Sequence, residues 1–266
     1  MNTPARIHFA DNILINPTNP ITVNLIGAGG TGSRMLTCLM QTSASLIGLG
    51  HTGLHVNLYD DDLVTHANIG RQLFSESEVG LQKSVALINR VNRSCGAGWK
   101  AVTQRFSFAT LRHAPNYGSA NIFISCVDTI AARFDIANAL GMLKDNKGYS
   151  RDRPLYWMDC GNGRHTGQVV LSTVSQIRQP KSELYEPVAD LPFVTTEFKN
   201  LLEAQIDNDE PSCSLAEALE KQDLFINPAI ASMGASLLWN LFREGMTENR
   251  GFFMNLKDFI ANPIKV

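Results

Sequence analysis

Apolar positions along this chain fall into two kinds of run. Val23-Asn24-Leu25-Ile26 is short and rich in branched residues, and Gly27-Ala28-Gly29-Gly30-Thr31-Gly32 follows it directly. Beyond the glycines, Leu36, Leu39, Met40, Ser43, Leu46 and Ile47 recur at helical spacing. A short branched run reads as a buried strand and a 3.6-residue stripe as a helix with one packed face, so the order predicts strand, tight turn, helix. After a turn at Gly50 to Gly53, His55 to Tyr59 alternates as a second strand and ends at Asp60-Asp61-Asp62. Gly80-Leu81-Gln82-Lys83 opens a helix with Val85, Ile88 and Val91 on one face. Trp99 to Arg105 reads as a third strand and Asn121 to Val127 as a fourth, buried on both faces and ending at Asp128. A helix follows through Ile130, Phe134 and Ala137, with Arg133 readable as a solvated helix charge. Leu155 to Met158 makes a fifth strand, Asp159 to Gly163 a turn, and Gln168 to Leu171 a sixth strand. Strands alternating with helices predict an α/β fold, a Rossmann-like, mostly parallel sheet with flanking helices.

The pattern changes in the last third. From Ser172 to Ser212 periodicity is poor, and Pro180, Pro187, Pro192 and Pro211 interrupt it, which predicts a long crossover loop over 172–213. Ser214-Leu215-Ala216-Glu217 is a capping box, and a C-terminal helix carries Ile226, Ile230, Met233, Leu237 and Leu241 on one face. Gly251 to Phe259 reads as a last strand and turn. The reading is one domain over 1–266, with a nucleotide-binding core at 21–171 and a helical and strand part at 214–266. At 266 residues, 44% hydrophobic and 18% charged, the chain can bury a full core.

Charge and cysteine usage exclude several classes. A net charge of −2 and a pI near 6.3 supply no basic surface for nucleic acid. No apolar run approaches the ~20 residues of a membrane span, and Met1 to Pro20 lacks a signal pattern, so the expectation is a cytoplasmic protein. Cys38, Cys95, Cys126, Cys160 and Cys213 are scattered without a Cys-x-x-Cys pair, which argues against a disulfide framework and a structural zinc. His51 and His55 flank a glycine turn and read as surface or edge residues.

The chemistry starts at the glycine turn. A strand-to-helix turn leaves helix N–H groups free to cradle phosphate, a property shared by NAD, flavin and ATP users. Asp60, at the end of the second strand, is placed to accept from ribose hydroxyls. Asn68, Arg71 and Lys83 form a set that a dehydrogenase has no need of, whereas an enzyme that cleaves ATP needs cations and donors around the phosphates. Asp128, at the carboxyl end of a parallel strand, lies over the same crevice and suits Mg²⁺.

Taken in order, Gly27-x-Gly29-Gly30-x-Gly32, Asp60-x-Asp62-x-Val64-x-x-x-Asn68-x-x-Arg71-Gln72, Gly80-x-x-Lys83 and Cys126-Val127-Asp128 resemble the ThiF/MoeB/ubiquitin-activating enzyme superfamily. Pro211 to Glu217 and Gln222-Asp223-Leu224-Phe225-Ile226-Asn227 are similar to the ThiF-like proteins of bacterial PRTRC clusters. The resemblance implies ATP-dependent adenylation of the C-terminal glycine carboxylate of a ubiquitin-like protein, in a two-fold dimer. It assigns the nucleotide backbone to the four glycines, the ribose to Asp60 or Asp62, the phosphates to Asn68, Arg71 and Lys83 with Gln72 in the same motif, and Mg²⁺ to Asp128. The zinc-binding Cys-x-x-Cys pairs of many relatives are absent, and Thr129 stands where relatives often have Asn. Relatives that pass their cargo on often carry an acceptor cysteine in the crossover region, which singles out Cys213. The free N-terminus of the following helix favours its thiolate, while Asp207, Asp209 and Glu210 favour the neutral thiol and simple packing. Two rival readings stay open: an NAD-dependent oxidoreductase, and a catalytically idle scaffold that binds a ubiquitin-like partner.

Overall fold

The computed structural model describes residues 4–113, 118–145, 151–203 and 222–266. In chain order the strands are β1 (Ala5–Phe9), β2 (Ile21–Ile26), β3 (Leu54–Tyr59), β4 (Lys100–Val102), β5 (Ile122–Ser125), β6 (Tyr156–Asn162), β7 (Thr166–Thr173), β8 (Tyr185–Pro187), β9 (Met246–Thr247), β10 (Asn249–Asn255) and β11 (Ile260–Lys265). The helices are α1 (Asn12–Ile15), α2 (Gly30–Gly48), α3 (Lys83–Cys95), α4 (Phe108–Leu111), α5 (Ile130–Asp145), α6 (Val194–Glu197), α7 (Lys199–Glu203) and α8 (Ile226–Glu244). Among the described residues an eight-stranded sheet runs β11-β10-β7-β6-β5-β2-β3-β4. The pairs from β6 to β4 are parallel and those from β6 to β11 antiparallel. This is the mostly parallel α/β sheet that the alternation of strand and helix runs predicts.

Both faces of the sheet are covered, and the period-two geometry of a strand explains how. On β5, Ile122 and Ile124 pack into one apolar cluster with Met35 and Leu39 of α2, Ile88 of α3 and Ile230 of α8, while Phe123 joins a second with Ile136 and Leu140 of α5. On β6, Tyr156 and Met158 belong to the first cluster and Trp157 to the second. Each fully buried large apolar side chain contributes roughly 1.5–3 kcal/mol, which makes β2, β5 and β6 the anchor of the fold. Helix stops follow local chemistry: α3 and α8 end at Gly96 and Gly245, both left-handed at φ 66°.

Four expectations are corrected. The strand expected over Trp99 to Arg105 is only β4, because Trp99 turns its indole inward to donate to the Leu54 carbonyl at 3.0 Å. The turn expected at Asp159 to Gly163 is strand through Asn162, since Cys160 and Gly161 pair with Val169 and Gln168 of β7. Within 172–203 the crossover is not bare loop. It carries β8, α6 and α7, and β8 pairs with β1 in a second sheet, β8-β1-β9. Arg133 is buried, at 3% exposure, and not a solvated charge. Strands β1 and β11 go unannounced by the sequence pattern. The C-terminal hairpin closes at Phe259, in the left-handed region at φ 53°, and Pro263 is tolerated because β11 is an edge strand. Cys213 and the Ser214 to Glu217 capping box lie outside the described residues.

Candidate active site

Strand β2 delivers the chain to the glycine turn at the carboxyl edge of the sheet. Gly27 adopts φ 95° and donates its N–H to the Tyr59 carbonyl at 2.9 Å, and a Cβ there would stand 2.7 Å from the Cys126 carbonyl oxygen. At Gly32 a Cβ would fall 1.8 Å from the Gly27 carbonyl oxygen, so the first turn of α2 closes on the loop only without a side chain. Gly29 caps α2 with no side-chain hydrogen bond and has no atom within 4 Å of the corresponding position. The N-terminus of α2 is thus open toward the space above the sheet, the polarity that suits an anion.

That space is a cavity of about 330 Å³. Gly27, Gly29, Gly30, Asp60, Asp62, Arg71, Gln72, Lys83 and Asp128 all line it. Among the described residues two of the sequence-derived set do not. Gly32 acts through the packing just described. Asn68, 9% exposed, turns its amide oxygen back to accept from the Thr65 N–H at 2.8 Å and the Thr65 hydroxyl at 3.1 Å.

The acids after β3 bind the site together from within. Asp60 accepts from the Ala28 N–H at 2.6 Å and the Asp62 N–H at 3.0 Å, tying the glycine turn to the next loop, and burial pushes its carboxyl up from the usual range. Lys83, the first residue of α3, donates its backbone N–H to the Asp62 carbonyl at 3.0 Å and pairs its ammonium with the Asp62 carboxylate at 2.7 Å. The half-buried Arg71 has its pKa lowered by desolvation, with Asp128 acting the other way. The Arg71 Nε and the Gln72 Oε1 are both shielded from water without a hydrogen-bond partner. The hydrogen bonding of these two cavity-lining side chains is thus incomplete within the chain itself.

Asp128 owes its position to a buried ion pair. Arg133 contacts Asp159 at 3.2 Å and donates to the Val127 carbonyl at 2.8 Å and the Thr129 carbonyl at 3.4 Å, on either side of Asp128. Asp159 is completed by the Ser125 hydroxyl at 2.7 Å, which itself accepts from the Trp157 indole at 2.8 Å.

Sequence reasoning missed several lining residues. Ile26, Tyr59, Phe106, Val127, Ala132 and Ile136 make one end apolar and suited to a flat base, while Arg105, Asn162, Gln222 and Asn227 add polar groups. Burial raises the Tyr59 phenol to about 12. Cys126 and Cys160 both line the cavity, and the Cys160 thiol is held well above its ordinary pKa by its hydrogen bond with Cys126 and by burial. The signal available for Asn227 was a carboxamide set against Ile226 and Pro228 at the head of an apolar helix.

No curated protein matches the chain. Among solved structures, PaaA superposes with a TM-score of 0.59 at 17% identity, over 92% of this chain and 72% of PaaA. E. coli MccB with ATP superposes with a TM-score of 0.54 at 15% identity, over 96% of this chain and 65% of MccB. MccB with AMPCPP and MccA gives 0.55 at 12% identity, over 92% and 63%. The chain spans less than two thirds of MccB, and at these identities the likeness is one of fold. The ThiF family profile, in contrast, matches residues 18–256, from the start of β2 through β10 and so across the whole glycine-turn cavity, and the chain therefore belongs to the ThiF family.

Proposed function

We propose that this protein uses ATP to adenylate the C-terminal glycine carboxylate of a ubiquitin-like protein, releasing pyrophosphate. The observation that carries the reading is the convergence of Arg71, Lys83 and Asp128 on the cavity that also receives the open N-terminus of α2. The MccB structures with ATP and with AMPCPP and MccA support the use of ATP.

A carboxylate is already ionised at neutral pH and needs no general base. Its oxygen attacks the α-phosphorus, a C–O–P bond forms, and the bond to the β-phosphate oxygen breaks with its electrons leaving on pyrophosphate. The chain's own work is to align the two anions and stabilise the charge they share. Arg71 and Lys83 supply the positive groups, and Gln72 and the α2 N–H groups add further polar contacts. Asp60 keeps lone pairs for a ribose hydroxyl after its two backbone contacts. The apolar end accepts the base.

Four carboxylates and three cationic side chains line the cavity, so a triphosphate there calls for an added cation. Asp128 would hold Mg²⁺, which when bound neutralises phosphate charge. Among the described residues no cluster of three or more His, Cys, Asp or Glu could hold a metal. The wider reading is a single adenylation domain over 1–266, a homodimer, a place in the cytoplasm, kinship with PRTRC-cluster proteins, and Cys213 as acceptor if the acyl group is passed to a thiol. Among the described residues no helix is long and apolar enough to cross a membrane.

ATP–pyrophosphate exchange with candidate ubiquitin-like proteins is the test. Exchange that depends on the partner's C-terminal glycine is expected, and Lys83→Ala and Asp128→Ala should each reduce it by ~100-fold or more. Tight NAD binding with no ATP binding in calorimetry would overturn the reading.

A further inference from the structure

The amide of Asn227 is buried at 2% exposure in the first turn of α8, yet it belongs to no helix cap. Burying a carboxamide is costly unless its donors and acceptor are met. Here they are met across the cavity wall. Its oxygen accepts from the Thr31 hydroxyl at 2.8 Å and from the Asn162 amide, and its NH₂ donates to the Gln222 oxygen at 2.9 Å. The same Gln222 oxygen accepts from the Arg71 Nη1 at 3.3 Å. Asn227 also lies hard against the glycine turn, because a Cβ on Gly30 would stand 2.5 Å from the Asn227 amide nitrogen. A side chain at Gly30 would therefore displace the Asn227 amide.

We infer that Asn227 is a positioning residue that, through Gln222, fixes the guanidinium of Arg71 relative to the glycine turn. The logic is one of donors and acceptors. Gln222 can present either an oxygen or an NH₂ to its neighbours, and only the oxygen is attractive to a guanidinium. The NH₂ of Asn227 selects that orientation, because an NH₂ of Gln222 turned toward it would leave two donors face to face. Held by Gln222 through Nη1, the Arg71 guanidinium stays in the cavity wall, while its Nε is buried without a partner. Without that tether it remains in the field of the Asp128 carboxylate, which lines the same cavity. Collapse onto Asp128 would remove both groups from an incoming anion. The Asn227 amide that orients Gln222 also accepts from Thr31 in the first turn of α2, so the carboxamide that holds Arg71 and the helix N-terminus are set by one group.

The functional weight of this arrangement rests on the adenylation reading, but its geometry does not, and the experiment separates the two. The Arg71 Nε–Hε resonance of the full chain, identified by its disappearance in Arg71→Lys, reports the tether without any substrate. In Asn227→Ser and in Gln222→Met it should shift and exchange faster with water, and in Gln222→Glu, which restores an acceptor oxygen, it should return toward the wild-type position. An Arg71 resonance unchanged in both Asn227→Ser and Gln222→Met overturns the inference. Gln222 is only half-buried, so Gln222→Met stands as the test if Asn227→Ser does not fold. ATP binding by calorimetry is the second arm: the dissociation constant should rise about 10-fold in both variants, as loss of one oriented charge-assisted contact implies. Wild-type protein that binds no ATP overturns the adenylation reading, while the resonance still decides the role of Asn227. Normal ATP affinity in both variants overturns the positioning role.

Discussion

At the scale of single residues, the glycine turn separates packing from binding within a few positions. Gly32 has no room for a methyl group and Gly29 has nothing near it, although both belong to one motif. Gly32→Ala should cost at least the ~1–3 kcal/mol of an overpacked core site and lower the thermal midpoint. Gly29→Ala should leave stability within about 0.5 kcal/mol while weakening ATP binding, since Gly29 lines the cavity. Thermal melts and calorimetry on the two variants check the contrast, and equal melting losses would contradict it. Cys213, which the structure does not describe, calls for a chemical test at the same scale. If the acyl group passes to it, intact mass after incubation with ATP and partner shows a DTT-sensitive adduct that Cys213→Ala abolishes. An adduct that survives Cys213→Ala places the acceptor elsewhere.

Between elements, the most consequential contact is the Arg133–Asp159 pair joining α5 to β6 under the loop that carries Asp128. Removing one partner strands the other as a buried charge, so Arg133→Met should cost about 3–5 kcal/mol in urea unfolding. The pair of changes Arg133→Met and Asp159→Leu should cost less than Arg133→Met alone, because no uncompensated charge remains. A double variant less stable than the single would show that the hydrogen bond Asp159 accepts from Ser125, lost only in the double, outweighs the stranded charge. The second sheet is joined to the first in a similar way. His8 of β1 is fully buried, its Nδ1 meeting the Val188 carbonyl at 2.6 Å and its Nε2 the Tyr156 hydroxyl at 2.9 Å.

That histidine gives the whole molecule a pH response. Burial lowers the His8 pKa below its ordinary 6.5, against smaller opposing effects from Val188 and Asp190, so the folded chain favours the neutral ring. The unfolded chain then binds more protons below pH 6.5, and stability is present above that value and falls as the pH drops toward the folded pKa. Urea midpoints measured downward from pH 7 should decline, and less steeply in His8→Gln. A slope unchanged by His8→Gln would assign the response to other groups.

The sequence by itself determined the parallel half of this protein, because there each element carries its own signal. β2 and β5 are short runs rich in branched apolar residues and buried along their length, α2, α3 and α8 are striped, and the glycine turn must lie between strand and helix. The candidate-site residues at the boundaries of those elements, from Gly27 and Asp60 to Lys83 and Asp128, were legible for the same reason, since the carboxyl ends of parallel strands meet at one edge. What only the tertiary structure decided are the features that depend on a partner far along the chain. Asp159 looks like a turn residue until Arg133 neutralises it, and β1 is a strand only because β8 and β9 flank it. Asn68 looks like a phosphate contact until its oxygen is found capping Thr65. Asn227 and Gln222 stood in a recognisable run without a role, because a carboxamide has no chemistry of its own to announce. Their significance comes from Thr31, Asn162 and Arg71, which α8 meets only after the chain has crossed the sheet and come back.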